Sequence, residues 1–288
     1  MKAVVLINRA KEQAADVEQA LLAAGLEVSL EQVPGGRIAA RASAAVKDGA
    51  RLVIVGGGDG SVGAAAGALA DTKAALGILP MGTLNHFARD LHIPFGLTEA
   101  AQAIAKGRAT RVDLAEVNRR AFVNNAAIGL YPLMVVDRES QRKRLGRSKR
   151  LAMLVASLRT MARFHASRLT LSIDGGEARV DTPLLFVGNN AYRLSLPRAG
   201  RRESLDSGDL SVMVMRSKSL TGFLAATVRA LAGLSRDDVM VQLDDVRRLK
   251  VDSRQQRLPI AIDGEQAELV TPLLFRIRPK ALRVVVPR

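Results

Sequence analysis

The sequence predicts a parallel β-sheet covered by helices on both faces, followed by a mainly antiparallel β domain with inserted helices. Three observations carry this expectation. Short apolar runs alternate with helical repeats from residue 2 to residue 107, the order that builds parallel sheets. From residue 111 onward, short strand-like segments separated by turn residues take over. Between them stands a strand–glycine turn–helix signal at 51–69, RLVIVGGGDGSVGAAAGAL.

The first half justifies itself element by element. Residues 2–8 form an apolar run suited to a buried parallel strand. Residues 10–24 have helical periodicity through Ala14, Val17, Leu21 and Leu22, with Gly25 as the stop. Residues 26–32 alternate as a second strand, Gly35-Gly36 is a turn, and 38–47 is a second helix. Residues 52–55 are the strand that enters the glycine turn, and the helix after it is expected at 62–70. Residues 75–79 are the next strand. Gly82 and Thr83 are expected to open a helix, and 98–106 is another, stopped by Gly107. Ligands of such sheets sit at the carboxyl ends of the strands. The glycine turn and Asn8 both fall there.

In the second half, 111–116 and 121–125 read as paired strands around a turn at 118–120. Residues 169–173 and 177–180 flank the hairpin signal Asp174-Gly175-Gly176. Segments 184–187, 210–215, 247–252, 259–262, 273–278 and 282–286 continue the strand pattern. Helices are expected at 148–165 and 220–234. The domain boundary is placed at 112/113, giving domains 1–112 and 113–288.

Composition narrows the chemistry. The chain has 288 residues, no Cys, no Trp and two Tyr. That excludes disulfides, thiolate catalysis and Cys-ligated zinc, and argues against stacking on nucleobases. A formal net charge of +15 implies an anionic partner, either polyphosphate, acidic membrane or nucleic acid. No aromatic RNA-binding motif or helix-turn-helix pattern supports nucleic acid. No secretory signal or membrane-spanning run is legible, so a cytoplasmic protein is expected. His86, His92 and His165 lack metal-ligand spacing.

The glycine turn itself points to phosphate. Glycines let a ligand approach the backbone, and a helix N-terminus favours an anion. Asp59 is the oddity, because a carboxylate in a phosphate cradle needs a metal or a proton-bearing partner. That combination suggests a nucleoside triphosphate with Mg²⁺. A tight strand–helix turn that binds nothing is the plain alternative.

With these residues laid out, the chain resembles the diacylglycerol kinase catalytic-domain family of soluble lipid kinases, sphingosine kinases and bacterial lipid kinases among them. GGGDGS at 56–61 is similar to the family's glycine motif, and PMGTLNHFARDL at 80–91 to its second motif. FVNNAAIG at 122–129 resembles the strand opening the second domain, and ESLDSGDLSV at 203–212 the Asp-Asp-Gly region. IDGE at 262–265, with TPLLFRIRPKALRVVVP after it, is similar to the C-terminal hallmark. The resemblance implies an ATP-binding α/β domain, a C-terminal β-sandwich, and an active site in the cleft that separates them. The implied reaction moves the γ-phosphate of ATP to a lipid hydroxyl, such as that of diacylglycerol, at an anionic membrane surface.

The implied roles follow residue by residue. Asn8, Gly57, Gly58, Asp59, Gly60, Ser61, Gly82, Thr83 and Asn85 would bind ATP. Asp263 would be the base that takes the hydroxyl proton, with Asp59 as its rival. Glu265 would share the face of Asp263 if the stretch stays extended. An ordinary hairpin turn is the plain reading of 263–265. Mg²⁺ would be held among Asp59, Asp113, Asp206 and Asp209. Asp113 sits where the family has an Asp on the strand entering the second domain.

Several positions depart from the family pattern. Ser61 replaces the common Thr, and Gly63 and Ala64 stand where Asn and Glu are frequent. His86 replaces the Asp of the second motif, and Ser207 interrupts the Asp-Asp-Gly segment. These departures motivate the alternative of a catalytically weakened lipid- or nucleotide-binding regulator. Phosphofructokinases and NAD kinases carry related glycine turns, but the second and C-terminal motifs favour the lipid kinases. The basic runs 138–150 and Arg198, Arg201 and Arg202 are candidates for membrane or phosphate contact. Edge strands of a sandwich offer a route to a homodimer.

Overall fold

The computed structural model describes residues 3–8, 14–129, 166–173, 175–192, 202, 204–216 and 240–288. The helices expected at 148–165 and 220–234, the basic run 138–150, and His165, Asp174, Arg198 and Arg201 lie outside the described residues. The chain divides into two compact units. The first comprises Met1–Asn124, Asn189–Gly208 and Ile277–Arg288, and the second Asn125–Gly188 and Asp209–Arg276. This division differs from the single break expected near residue 112, because three later segments pack with the first unit.

In the first unit, β1 (Ala3–Asn8), β2 (Val28–Val33), β3 (Leu52–Gly57) and β4 (Ala75–Pro80) form a parallel sheet in the order β2-β1-β3-β4. The final strand of the chain, β16 (Leu273–Val286), continues it by pairing with β4 in parallel at Val284 and Leu76. The helices are α1 (Ala14–Ala23), α2 (Ile38–Lys47), α3 (Asp59–Leu69), α4 (His86–Asp90) and α5 (Leu97–Lys106). Helix α1 packs with α5, and α2 with α3. With helices on both faces, the central strands β1, β3 and β4 are largely buried, whereas the edge strand β2 is buried only at its ends. Val5, Leu6, Ile7, Val53, Ile54 and Val55 have no exposed surface, which is why they read as unbroken apolar runs. Two antiparallel strands, β5 (Arg108–Val117) and β6 (Arg120–Phe122), complete the unit, β5 pairing with β16. Helix α3 lies so close to β6 that a Cβ on Gly67 would stand 2.9 Å from Ala121 Cβ. Gly67 is thereby a packing requirement.

The second unit is an antiparallel β-sandwich. Its strands are β7 (Asn125–Gly129), β8 (Ser167–Ile173), β9 (Gly176–Thr182), β10 (Leu184–Asn189), β11 (Leu210–Met215), β12 (Met240–Val246), β13 (Arg248–Ser253), β14 (Arg257–Ile262) and β15 (Glu265–Val270). One sheet runs β12-β11-β10-β7-β14-β15. In the other, β13 lies between β8 and the start of β16, and β9 closes the edge. An apolar cavity of about 640 Å³ is lined by Leu171, Ile173, Val180, Val214, Val241 and Leu243, among others.

Several element boundaries differ from the sequence expectation. Helix α3 begins at Asp59, three residues early, so the turn shrinks to Gly58. Residues 121–125 divide between β6 and β7. The segments 273–278 and 282–286 are one strand, with Lys280 at φ 53° inside it. Strands β12 and β15 were not expected. Neither carries a clean apolar alternation, because β15 is largely exposed and β12 holds Asp244 and Asp245. No helix among the described residues is long and apolar enough to cross a membrane.

Candidate functional site

The site in the first unit is built at the carboxyl ends of β3 and β4. Strand β3 runs through Gly56 and Gly57 directly into Gly58, the N-cap of α3. Gly58 is extended and offers no capping side chain. The first bond of the helix is donated by the Val62 N–H to the Gly58 carbonyl, at 3.0 Å. The N–H groups of Asp59, Gly60 and Ser61 therefore lack a partner within the helix. Together with the helix dipole and the Ser61 hydroxyl, they form a donor set suited to phosphate oxygens.

The second turn packs directly on the first. A Cβ on Gly82 would lie 2.4 Å from Gly58 Cα and 2.6 Å from Asn85 Oδ1. Asn85, in the left-handed region at φ 49°, closes this turn with its own side chain. Its Oδ1 accepts the Gly82 N–H at 2.9 Å, and its Nδ2 donates to the Gly82 carbonyl at 3.1 Å. Gly82→Ala forces backbone against backbone, so we expect a loss of about 1–3 kcal/mol of stability. Thermal unfolding of the variant checks this; a melting temperature equal to wild type contradicts the close packing.

This turn corrects one expectation. Gly82 and Thr83 do not begin a helix: α4 starts at His86 and spans five residues. Nor are its first N–H groups offered to a ligand. The His86 N–H donates to Asp59 Oδ2 at 3.1 Å, and the Phe87 N–H to Asp59 Oδ1 at 3.0 Å. Asn124 Nδ2 also donates to Asp59 Oδ1, at 3.0 Å. The proton-bearing partner that the sequence demanded for Asp59 is thus the chain itself. Three N–H donors offset its charge beside the glycine turn.

The remaining expected residues fall into separate groups. Asn8 ends β1 beside the turn that follows β2; a Cβ on Gly35 would be 3.1 Å from its Nδ2. Thr83 is exposed. Asp113 is 1% exposed, and its carboxylate accepts from Asn190 Nδ2 (2.6 Å), the Gly208 N–H (2.7 Å) and the Lys280 N–H (2.7 Å). Ser207 Oγ lies 3.1 Å from Asn190 Nδ2 in the same cluster. Asp206 is exposed and bonded locally to Ser204 at 2.6 Å. Among the described residues, no group of three or more His, Asp or Glu side chains gathers as a metal site. The donor set thus suits phosphate oxygens, and no protein cage for Mg²⁺ forms among the described residues.

In the second unit, Asp263 and Gly264 form a two-residue turn joining β14 to β15. Both have positive φ, 47° and 80°, and Ile262 pairs with Glu265 across the turn. Asp-Gly is the pair such a turn selects. The stretch is therefore not extended, and Glu265 does not share a face with Asp263 by strand alternation. The Asp263 backbone N–H donates to the Asn125 carbonyl at 2.9 Å, and its Oδ1 accepts the Asn125 N–H at 3.2 Å. The turn is thereby pinned to the start of β7.

Arg202 corrects a second expectation. Its side chain has no exposed surface and pairs with Asp90 inside the first unit. It is a packed internal cation, not a contact for a membrane. Asn124, Asn189 and Asn190 also escaped the sequence reading. The signal was present as two Asn-Asn pairs at the ends of buried apolar strands, where only hydrogen-bonded amides are tolerated.

Comparison with known proteins agrees with this architecture. The family model of the diacylglycerol kinase catalytic domain matches residues 2–117, and that of the YegS C-terminal NAD kinase β-sandwich-like domain matches residues 134–286. The chain belongs to the diacylglycerol kinase family. A Bacillus subtilis (strain 168) diacylglycerol kinase is 26% identical over 285 residues, covering 96% of this chain and 92% of that protein. A diacylglycerol kinase crystal structure from Bacillus anthracis (strain Sterne) superposes with a TM-score of 0.70 at 19% identity, covering 99% and 96% of the two chains. An Archaeoglobus fulgidus NAD kinase in complex with ATP superposes with a TM-score of 0.52 at 13% identity, covering 100% and 94%. At these identities the two structures speak for the shared fold of this diacylglycerol kinase family member.

Proposed function

We propose that this family member is an ATP-dependent lipid kinase, moving the γ-phosphate of ATP to a hydroxyl of a lipid such as diacylglycerol. The observation that carries the ATP half is the uncapped N-terminus of α3 after three consecutive glycines. In this reading the N–H groups of Asp59, Gly60 and Ser61 hold the phosphates, with Gly57, Gly58 and Gly82 allowing close approach. Asn8, at the end of β1, and Thr83 and Asn85, in the turn after β4, would add polar contacts. Phosphoryl transfer consists mainly of positioning and charge neutralisation, and ATP enters with Mg²⁺ on its phosphates. Asp263 takes the proton from the attacking lipid hydroxyl. Glu265, exposed after the turn, contributes negative charge nearby. The Asp113 carboxylate is already filled by three donors, so Asp206 and Asp209 are the acidic residues that would serve any further Mg²⁺.

The lipid half is supported by the family, by the apolar cavity of the second unit, which is of ligand size, and by the net charge of +15. The acceptor is met at an anionic membrane surface, where the protein associates peripherally from the cytoplasm. A transfer assay with γ-labelled ATP, Mg²⁺ and mixed vesicles of diacylglycerol and anionic phospholipid tests the reading. Labelled phosphatidate is the expected product. ATP binding with no labelled lipid from any hydroxyl-bearing extract establishes the regulator instead. Absence of ATP binding removes the kinase reading altogether.

A further inference from the structure

Helix α4 is restrained at both ends, and the two restraints meet. At its start, the His86 and Phe87 N–H groups donate to the Asp59 carboxylate. At its end, Asp90 Oδ2 accepts from Nε and Nη2 of Arg202, at 2.7 and 2.6 Å. Arg202 Nη2 also donates to Asn124 Oδ1 at 3.0 Å, and Asn124 Nδ2 donates to Asp59 Oδ1 at 3.0 Å. The bonds form a closed ring: Asp59, α4, Asp90, Arg202, Asn124 and back to Asp59. The guanidinium is further held between rings, 5.5 Å from the Phe87 centroid and 5.7 Å from that of Tyr192.

We propose that Arg202 and Asn124 are positioning residues for the phosphate-binding turn: they fix the carboxylate of Asp59 and the Gly82–Asn85 turn against the N-terminus of α3 without contacting the nucleotide. The inference rests on the nucleotide-binding reading above. The chemistry of the Asn124 amide makes the ring directional. Its oxygen must face the guanidinium and its nitrogen the Asp59 carboxylate; a flipped amide would set oxygen against oxygen and nitrogen against cation. Arg202 therefore selects the amide orientation that gives Asp59 its third donor. Without it, Asp59 keeps two donors, and its less neutralised charge stands beside the phosphates. The start of α4 and the turn at Gly82 then lose their fixed distance from Gly58.

The test is the ATP affinity of the full-length protein, measured by titration calorimetry, for wild type, Arg202→Ala and Asn124→Ser. Asn124→Ser removes the amide but keeps the Arg202–Asp90 pair, so it reports on the ring even if Arg202→Ala folds poorly. Both variants should bind ATP about 5–30-fold more weakly. In steady-state assays the loss should fall on KM for ATP, with kcat within about twofold of wild type. Low millimolar methylguanidinium should restore affinity to Arg202→Ala and leave wild type unchanged. A purely structural role lowers the melting temperature but leaves the affinity of the folded protein intact. Unchanged ATP affinity in Asn124→Ser overturns the proposal. Failure of wild type itself to bind ATP is a different result, which removes the reading beneath it.

Discussion

Replacing Asp263 with Asn should lower the rate of lipid phosphorylation by about 10²–10⁴-fold while leaving ATP affinity unchanged. The substitution is suited to the question because the turn has little reason to notice it. Asn retains an oxygen to accept the Asn125 N–H and tolerates the left-handed φ of 47° that this position requires. The backbone bond from 263 to Asn125 is untouched. What the variant lacks is a group that can accept a proton. Rates measured with saturating ATP and lipid, alongside ATP titrations, separate the two effects. A fully active Asp263→Asn protein would move the base elsewhere. Asp59 is then a poor replacement, because both of its oxygens already accept N–H groups.

Asp113→Ala should cost more stability than any other single change considered in the first unit. Three donors at 2.6 to 2.7 Å converge on this carboxylate from residues 190, 208 and 280. Removing the acceptor strands all three in an environment where Asp113 itself is 1% exposed. Each stranded donor costs about 1–3 kcal/mol, so a loss of at least about 3 kcal/mol is expected. For a chain of this size that corresponds to a fall in melting temperature of roughly 6–12 °C. Circular dichroism melts of Asp113→Ala against wild type check it. A fall under about 2 °C would mean that water or rearrangement satisfies the three donors, and that the carboxylate has another purpose.

The sequence was most readable where one physical demand dominates. Buried parallel strands need apolar residues on both faces, so residues 2–8, 52–55 and 75–79 announced themselves. The Asp-Gly hairpin at 263–264 was foreseen as the plain reading, and both positive φ values bear that out. The glycine turn was legible as a candidate phosphate site from its consecutive glycines between an apolar strand and a helix. Asp59 was legible only as a puzzle. Its resolution comes from His86 and Phe87, 27 and 28 residues away, whose N–H groups leave no mark on the sequence. Arg202 failed for the opposite reason. An Arg among other Arg residues reads as a contact for phosphate or a lipid head group, and only a partner 112 positions earlier, Asp90, reveals it as internal. The early start of α3 follows from Gly58 serving as N-cap, which freed Asp59, Gly60 and Ser61 to join the helix.

The last strand has a consequence for how the protein is made. Residues 277–288 belong to the first compact unit, where β16 lies against β4 and β5. While the ribosome is still translating, β4 can pair with β3 but must wait for its other neighbour. The half of the chain that emerges first is thus completed last, once residue 284 can meet Leu76. Expressed alone, residues 1–112 would expose the edge of β4 as a sticky template, whereas a circularly permuted chain beginning with β16 could mature in the order of its synthesis.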